Sequence, residues 1–170
     1  SDYYLTKAVE YILTWPAEHP DWFQMRADGS RCVEAPKDLL IGRQFCHTSD
    51  IWEEVYRDAK AYFLGQPSQS RNLPSWGRNA VGGKYFDVML QDGFCECYCA
   101  NCQKAYDKGV SNFATELIWR RTAEVARRLQ ADGVRGCLTQ MAYWPYNGIP
   151  KVEIPENVLV MVAEHGPFSV

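Results

Sequence analysis

Cys95-Glu96-Cys97-Tyr98-Cys99-Ala100-Asn101-Cys102 sets four thiols in eight residues, just downstream of an apolar run and an acid, Asp92. Thiols at this density have three uses. As thiolates they can hold Zn²⁺, and Cys97-x-Cys99-x-x-Cys102, with Cys95 two residues upstream, offers three or four sulfurs. They can also remain buried as free thiols, or close a local disulfide that stiffens the loop. A catalytic thiol is the third use, although no His stands nearby in sequence to activate one. Four sulfurs from so short a stretch would strain a tetrahedron, and no second Cys-x-x-Cys pair completes the usual two-knuckle pattern. Three sulfurs with a distant fourth ligand make the easier metal site. Seven cysteines in all leave at least one thiol unpaired.

Carboxylates form the second set. Two acids flanking a glycosidic bond can cleave it: one protonates the leaving oxygen, while the other attacks, activates water or steadies the oxocarbenium-like charge. Asp92 and Glu164 are the candidates by position, and Glu96 rivals Asp92. The same residues have plainer uses, since Asp92-Gly93 is also a turn pair and Glu164 can cap a helix. His47 can hydrogen-bond a substrate hydroxyl or sit buried and satisfied. Tyr143, Trp144 and Tyr146 can line a rim that stacks on a sugar ring, or pack the turn at Pro145.

The elements that would position these groups alternate. Residues 42–47 read as a short strand. A helix follows, with Ile51, Val55, Ala59 and Tyr62 at helical spacing and a capping box from Asp50 to Glu53. Gly65 closes it. Residues 66–83, rich in Ser, Asn, Gly and Pro, form a long loop. Residues 84–90 make a second strand, and the cysteine loop follows it. Ser111 opens a second helix carrying Phe113, Leu117, Ile118, Val125 and Leu129, which ends at Gly133. Strands over 135–142 and 158–163 complete the order, and Asp28-Gly29 marks a tight turn near the start.

Helical crossovers between apolar strands predict a parallel sheet. No glycine-rich phosphate fingerprint follows any strand, which argues against a nucleotide-binding doubly wound fold. The expected fold is α/β: a parallel (β/α) TIM-type barrel or a partial barrel made of its middle strands, in a single domain over residues 1–170. If the strands are parallel, His47, Asp92 with Glu96, Tyr143 with Trp144, and Glu164 with His165 all lie just past strand ends on one face.

Composition narrows the partners. Net charge is −3 with no basic stripe, which argues against nucleic acid. No apolar run approaches about 18 residues, so no membrane span is expected. The start, Ser1-Asp2-Tyr3-Tyr4, does not read as a signal peptide. Six Trp and ten Tyr suit a site that stacks on flat rings, or simply a core.

Several stretches resemble a family of putative bacterial glycoside hydrolases, a domain of unknown function distantly related to α-glucuronidases and β-hexosaminidases. His19-Pro20-Asp21-Trp22-Phe23 with Gly29-Ser30-Arg31 is similar to its "HPEWF…GKR" stretch. Phe45-Cys46-His47-Thr48 resembles its "LCxT" strand end. Asp92 with Cys97-x-Cys99-x-x-Cys102 resembles its acidic strand end and "CxCxxC" loop, and Ala142-Tyr143 with Asn157-Val158 its "AY…P…NV" segment. The resemblance spans roughly residues 18–163, and Cys95 is extra to its motif. It implies a (β/α)₈ barrel of which this chain supplies a middle run. It also implies a carbohydrate substrate, Asp92 as proton donor, no required cofactor and an extracytoplasmic location. A full barrel needs about 200 residues or more, so remaining barrel strands or a homo-oligomer would complete the sheet. Two other functions fit the same residues: a non-catalytic carbohydrate-binding domain, and a module stabilised by thiols or zinc.

Overall fold

The computed structural model describes residues 18–33, 44–73, 75–76, 80, 82–90 and 94–163. Within them, three strands form a parallel sheet in the order β1 (Tyr85–Asp87), β2 (Cys137–Ala142) and β3 (Val158–Val162). The register pairs Asp87 with Thr139 and Thr139 with Leu159. Among the described residues, helices α1 (Ile51–Phe63), α2 (Ala100–Ala105) and α3 (Thr115–Ala131) accompany the sheet. The described residues thus form an α/β arrangement with a three-stranded parallel sheet, and no closed barrel is formed among them.

The helices form where the apolar spacing requires them. α1 buries Ile51, Val55, Ala59 and Tyr62, and α3 buries Leu117, Ile118, Val125 and Leu129. Gly65 and Gly133 take positive φ values of 72° and 68° just past the two helix ends, where a side chain would be strained. Phe86, Val88 and Leu138 share one core with Val125, Ala126 and Leu129 of α3 and with Ile51, Val55, Ala59 and Tyr62 of α1. The Asp28-Gly29 turn is present: Gly29 has φ 84°, and Met25 bridges Arg31 antiparallel across it.

Three expectations need correction. The segment 42–47, of which 44–47 are described, is not a strand of the parallel sheet there. Its backbone is satisfied by an antiparallel neighbour instead: Gln24 N donates to the Gln44 carbonyl at 3.0 Å and Cys46 N to that of Trp22 at 2.7 Å. The Phe23 and Phe45 rings, 5.5 Å apart, fix the pairing. Next, Asp50 does precede α1, but its side chain makes no cap hydrogen bond. Glu53 is drawn away by Arg57 at 3.0 Å and Arg128 at 2.7 Å. Finally, the long loop 66–83 contains a 3-10 turn, Ser68–Arg71, whose Arg71 reaches back to α1.

That reach matters to stability. Arg71 Nε lies 2.7 Å from Asp58 Oδ1, and Asp58 is fully buried in α1. Breaking a buried pair costs about 3–5 kcal/mol. Arg71 keeps a quarter of its side chain in solvent, so Arg71→Ala should cost about 2–3 kcal/mol, read as a lower denaturant midpoint at unchanged slope.

Candidate metal centre

The cysteine loop leaves β1, runs past residues 44–48 and turns into α2. Its path is fixed by polar groups rather than by a sheet. Two buried glutamines bracket the Cys95 peptide: Cys95 N donates to Gln44 Oε1 at 2.8 Å, and Gln24 Nε2 donates to the Cys95 carbonyl at 2.6 Å. Three residues on, Tyr98 N donates to the Met25 carbonyl at 2.8 Å. The loop is therefore clamped against residues 24–25 and 44, and the sulfurs that follow are aimed inward.

Four sulfurs meet there: Cys46, Cys97, Cys99 and Cys102, all buried and all within 4.8 Å of one another. Cys46 Sγ is 3.6 Å from both Cys99 and Cys102. A disulfide needs about 2.05 Å, so none of these contacts is a bond. A Zn–S distance of about 2.3 Å gives a tetrahedron with edges of about 3.8 Å, close to the spacing seen. The donor set suits a soft or borderline divalent ion. Two backbone amides also point at sulfur: Met25 N at 3.4 Å from Cys97 Sγ, and Cys102 N at 3.4 Å from Cys99 Sγ, where Cys99 caps α2. Such donors stabilise thiolates.

The charges point the same way. Hydrogen bonding from Cys102, then Cys97, holds Cys46 far below the usual thiol range. Contact with that same Cys46, then with Cys97, drives Cys102 far above it. For Cys97 the Cys102 contact works downward, but Cys46 and burial prevail and it is pushed up to about 12. The charged form is thus favoured at Cys46 and disfavoured at Cys97 and Cys102, where a cation among the sulfurs would favour it. Thus four buried cysteines form a set that can bind a structural metal ion.

The fourth sulfur is Cys46, not Cys95. Cys95 is half-buried, its backbone held by the two glutamines and its sulfur outside the group. The sequence offers the signal in Phe45-Cys46-His47-Thr48, because a distant ligand was required and Cys46 lies at the end of an ordered segment. Thr48 is a further residue that sequence reasoning missed, with its hydroxyl 3.2 Å from Cys102 Sγ.

The other candidate residues divide. Asp92 and Glu164 lie outside the described residues. Glu96 accepts from Gln103 at 2.8 Å and pairs with Lys108. Burial works against its charge, but those two partners outweigh it and hold Glu96 below the usual carboxylate range. It is an ionised structural partner, poorly suited to donate a proton. Tyr143 and Trp144 are exposed at the exit of β2, at 37% and 56%, as a stacking rim requires. Tyr146 is instead buried, packed on Phe94 in the core beneath the cysteines, because its backbone carbonyl is held by Trp119 Nε1 at 2.9 Å.

His47 is also buried. It stacks on Phe94 at 5.6 Å, its carbonyl accepts from Arg121, and its Nε2 has no hydrogen-bond partner. Burial first, then Arg121, lowers it to about 4 against the opposing pull of Cys46, so the ring is neutral at pH 7. One carboxylate escaped notice within the apolar run. Asp87, buried at the carboxyl end of β1, accepts from Thr139 Oγ1 at 3.2 Å and from Met89 N at 3.0 Å.

Compared with known proteins, the chain matches no family model, no curated protein and no solved structure. No helix among the described residues is long and apolar enough to cross a membrane.

Proposed function

We propose that the chain is part of a glycoside hydrolase-like α/β domain whose acid-bearing loop is fixed by a structural Zn²⁺ on Cys46, Cys97, Cys99 and Cys102. The observation that carries the metal is the convergence of four buried sulfurs from segments 53 residues apart, at spacings a tetrahedral ion requires. Zinc would supply no chemistry to a substrate here, since four protein sulfurs leave it no open position. Its work is to hold the loop.

Carbohydrate cleavage rests on the resemblance around Asp92 and on placement. Parallel strands send their carboxyl ends to one side, where α/β proteins house their chemistry. Leu90 and Phe94, which flank Asp92 in sequence, both pack on the cysteine core. The exposed rings of Tyr143 and Trp144 follow β2 on that same side. Completion of the sheet by further barrel strands or a second copy is supported by β3, whose Leu159, Val160 and Val162 are 47%, 43% and 68% exposed. A non-catalytic carbohydrate-binding domain would keep the aromatic rim and dispense with the acid.

Elemental analysis of the purified chain tests the metal: one zinc per chain is expected, and a chain that folds with none rejects it. For the rim, Trp144→Ala should weaken binding of an oligosaccharide by about tenfold, the worth of roughly 1.4 kcal/mol of lost stacking. Unchanged affinity by calorimetry would take Trp144 out of the site.

A further inference from the structure

Cys97 and Cys102 are wholly buried, whereas Cys46 and Cys99 border a cleft of about 390 Å³. Thr48 lines the same cleft. Its Oγ1 is 3.2 Å from Cys102 Sγ, 3.5 Å from Cys46 Sγ and 3.7 Å from Cys99 Sγ, so it sits over the triangle made by these three atoms. The position is enforced locally. The Ser49 amide and hydroxyl both donate to the Cys46 carbonyl, at 3.1 and 2.7 Å, which folds the chain tightly just before α1 and turns Thr48 back onto the cluster.

A hydroxyl has one proton to give. Against thiolates it can only donate, and the Cys102 sulfur is nearest. The two amide donors serve Cys97 and Cys99, so the hydroxyl supplies Cys102 with a donor of its own. Thr48 also lines the cleft beside Cys46 and Cys99, the side from which water or a chelator would enter.

We propose that Thr48 is an outer-sphere positioning residue of this metal centre: its hydroxyl stabilises the Cys102 thiolate and its bulk closes the face bordering the cleft. The inference rests on the metal centre proposed above. Outer-sphere partners of this kind are worth about 10–100-fold in metal affinity. A hydrogen bond to a ligating sulfur also lowers the energy of its lone pair, so losing the bond moves sulfur-to-metal charge transfer to lower energy.

Two probes read this separately on the full chain, Zn²⁺ in competition with a chromophoric chelator and Co²⁺ by its charge-transfer absorption. Thr48→Val keeps the bulk and removes the proton. It should weaken Zn²⁺ binding about 10–100-fold and shift the Co²⁺ band to the red, while Thr48→Ser stays close to wild type on both. Thr48→Ala, which opens the face as well, should lose Zn²⁺ to the chelator faster than Thr48→Val. If Thr48→Val retains wild-type affinity and an unshifted band, or if Thr48→Ser fails as badly as Thr48→Val, the hydroxyl has no such role although the metal reading stands. Should Thr48→Val not fold, the serine and alanine variants decide by the same band: unshifted in both overturns the proposal. A wild-type chain that takes up neither ion overturns the centre itself, and Thr48's part with it.

Discussion

Cys46→Ser should strip the chain of its zinc and lower its melting temperature by about 8–16 °C, while Cys95→Ser does neither. The magnitude follows from linkage. An ion present about a thousandfold above its dissociation constant adds about 4 kcal/mol to folding, and each kcal/mol is worth about 2–4 °C in a chain of this size. Cys46 is decisive because it alone comes from outside the loop. Without it, three sulfurs within six residues remain and the ion no longer ties α2 to the segment that precedes α1. The Cys95 control makes the experiment specific, since its sulfur stands outside the group and its backbone contacts survive the change. Excess chelator should reproduce the Cys46→Ser transition in the wild type. Full zinc content in Cys46→Ser at an unchanged melting temperature would exclude the four-sulfur centre.

Asp92→Asn should reduce hydrolysis of an aryl glycoside by about 10²–10⁴, the usual contribution of a general acid, and leave sugar binding intact. The amide cannot give a proton to the leaving oxygen, yet it preserves size and most hydrogen bonds. Glu96→Gln is the informative comparison. Glu96 is already ionised and committed to Lys108 and Gln103, so its loss should cost far less turnover. The opposite ranking, with Glu96→Gln inactive and Asp92→Asn near wild type, would exchange the two roles. Metal removal should lower turnover as well, through the loop that carries the acid, since Leu90 and Phe94 on either side of Asp92 rest on the cysteine core.

What the sequence disclosed, and what it withheld, has physical reasons. The two long helices were legible because Val55, Ala59, Leu117 and Val125 repeat at a period that only a helix satisfies. The parallel strands were legible because short apolar runs alternate with those helices. The pairing of residues 44–46 with 22–24 was not, because an antiparallel bridge between two Phe-bearing segments leaves no periodic trace in either. α2 was missed for a related reason: its first turn is capped by a cysteine sulfur, not by the Ser, Thr, Asp or Asn that usually marks a start. The cysteine loop was visible as chemistry, and the need for a remote ligand followed from its cramped spacing. Which remote residue answers that need is a tertiary fact, fixed by the glutamine bracket around Cys95. Tyr146 was misplaced because an aromatic beside a proline turn looks the same whether it faces solvent or core.

The ligand set has a kinetic consequence. Cys99 and Cys102 are three residues apart and already share an amide-to-sulfur bond, and Cys97 is their near neighbour. An unfolded chain can form that triad by closing a loop of a few residues, whereas recruiting Cys46 means closing one of more than fifty. Capture and confinement of the proposed ion would therefore occur at different times. A nascent polypeptide would hold zinc loosely at the triad, exchangeable with any scavenger, and only the arrival of Phe45-Cys46 against Phe23 would lock it in. Stopped-flow release of zinc during refolding would record this as a passage from fast to slow exchange coinciding with tertiary collapse.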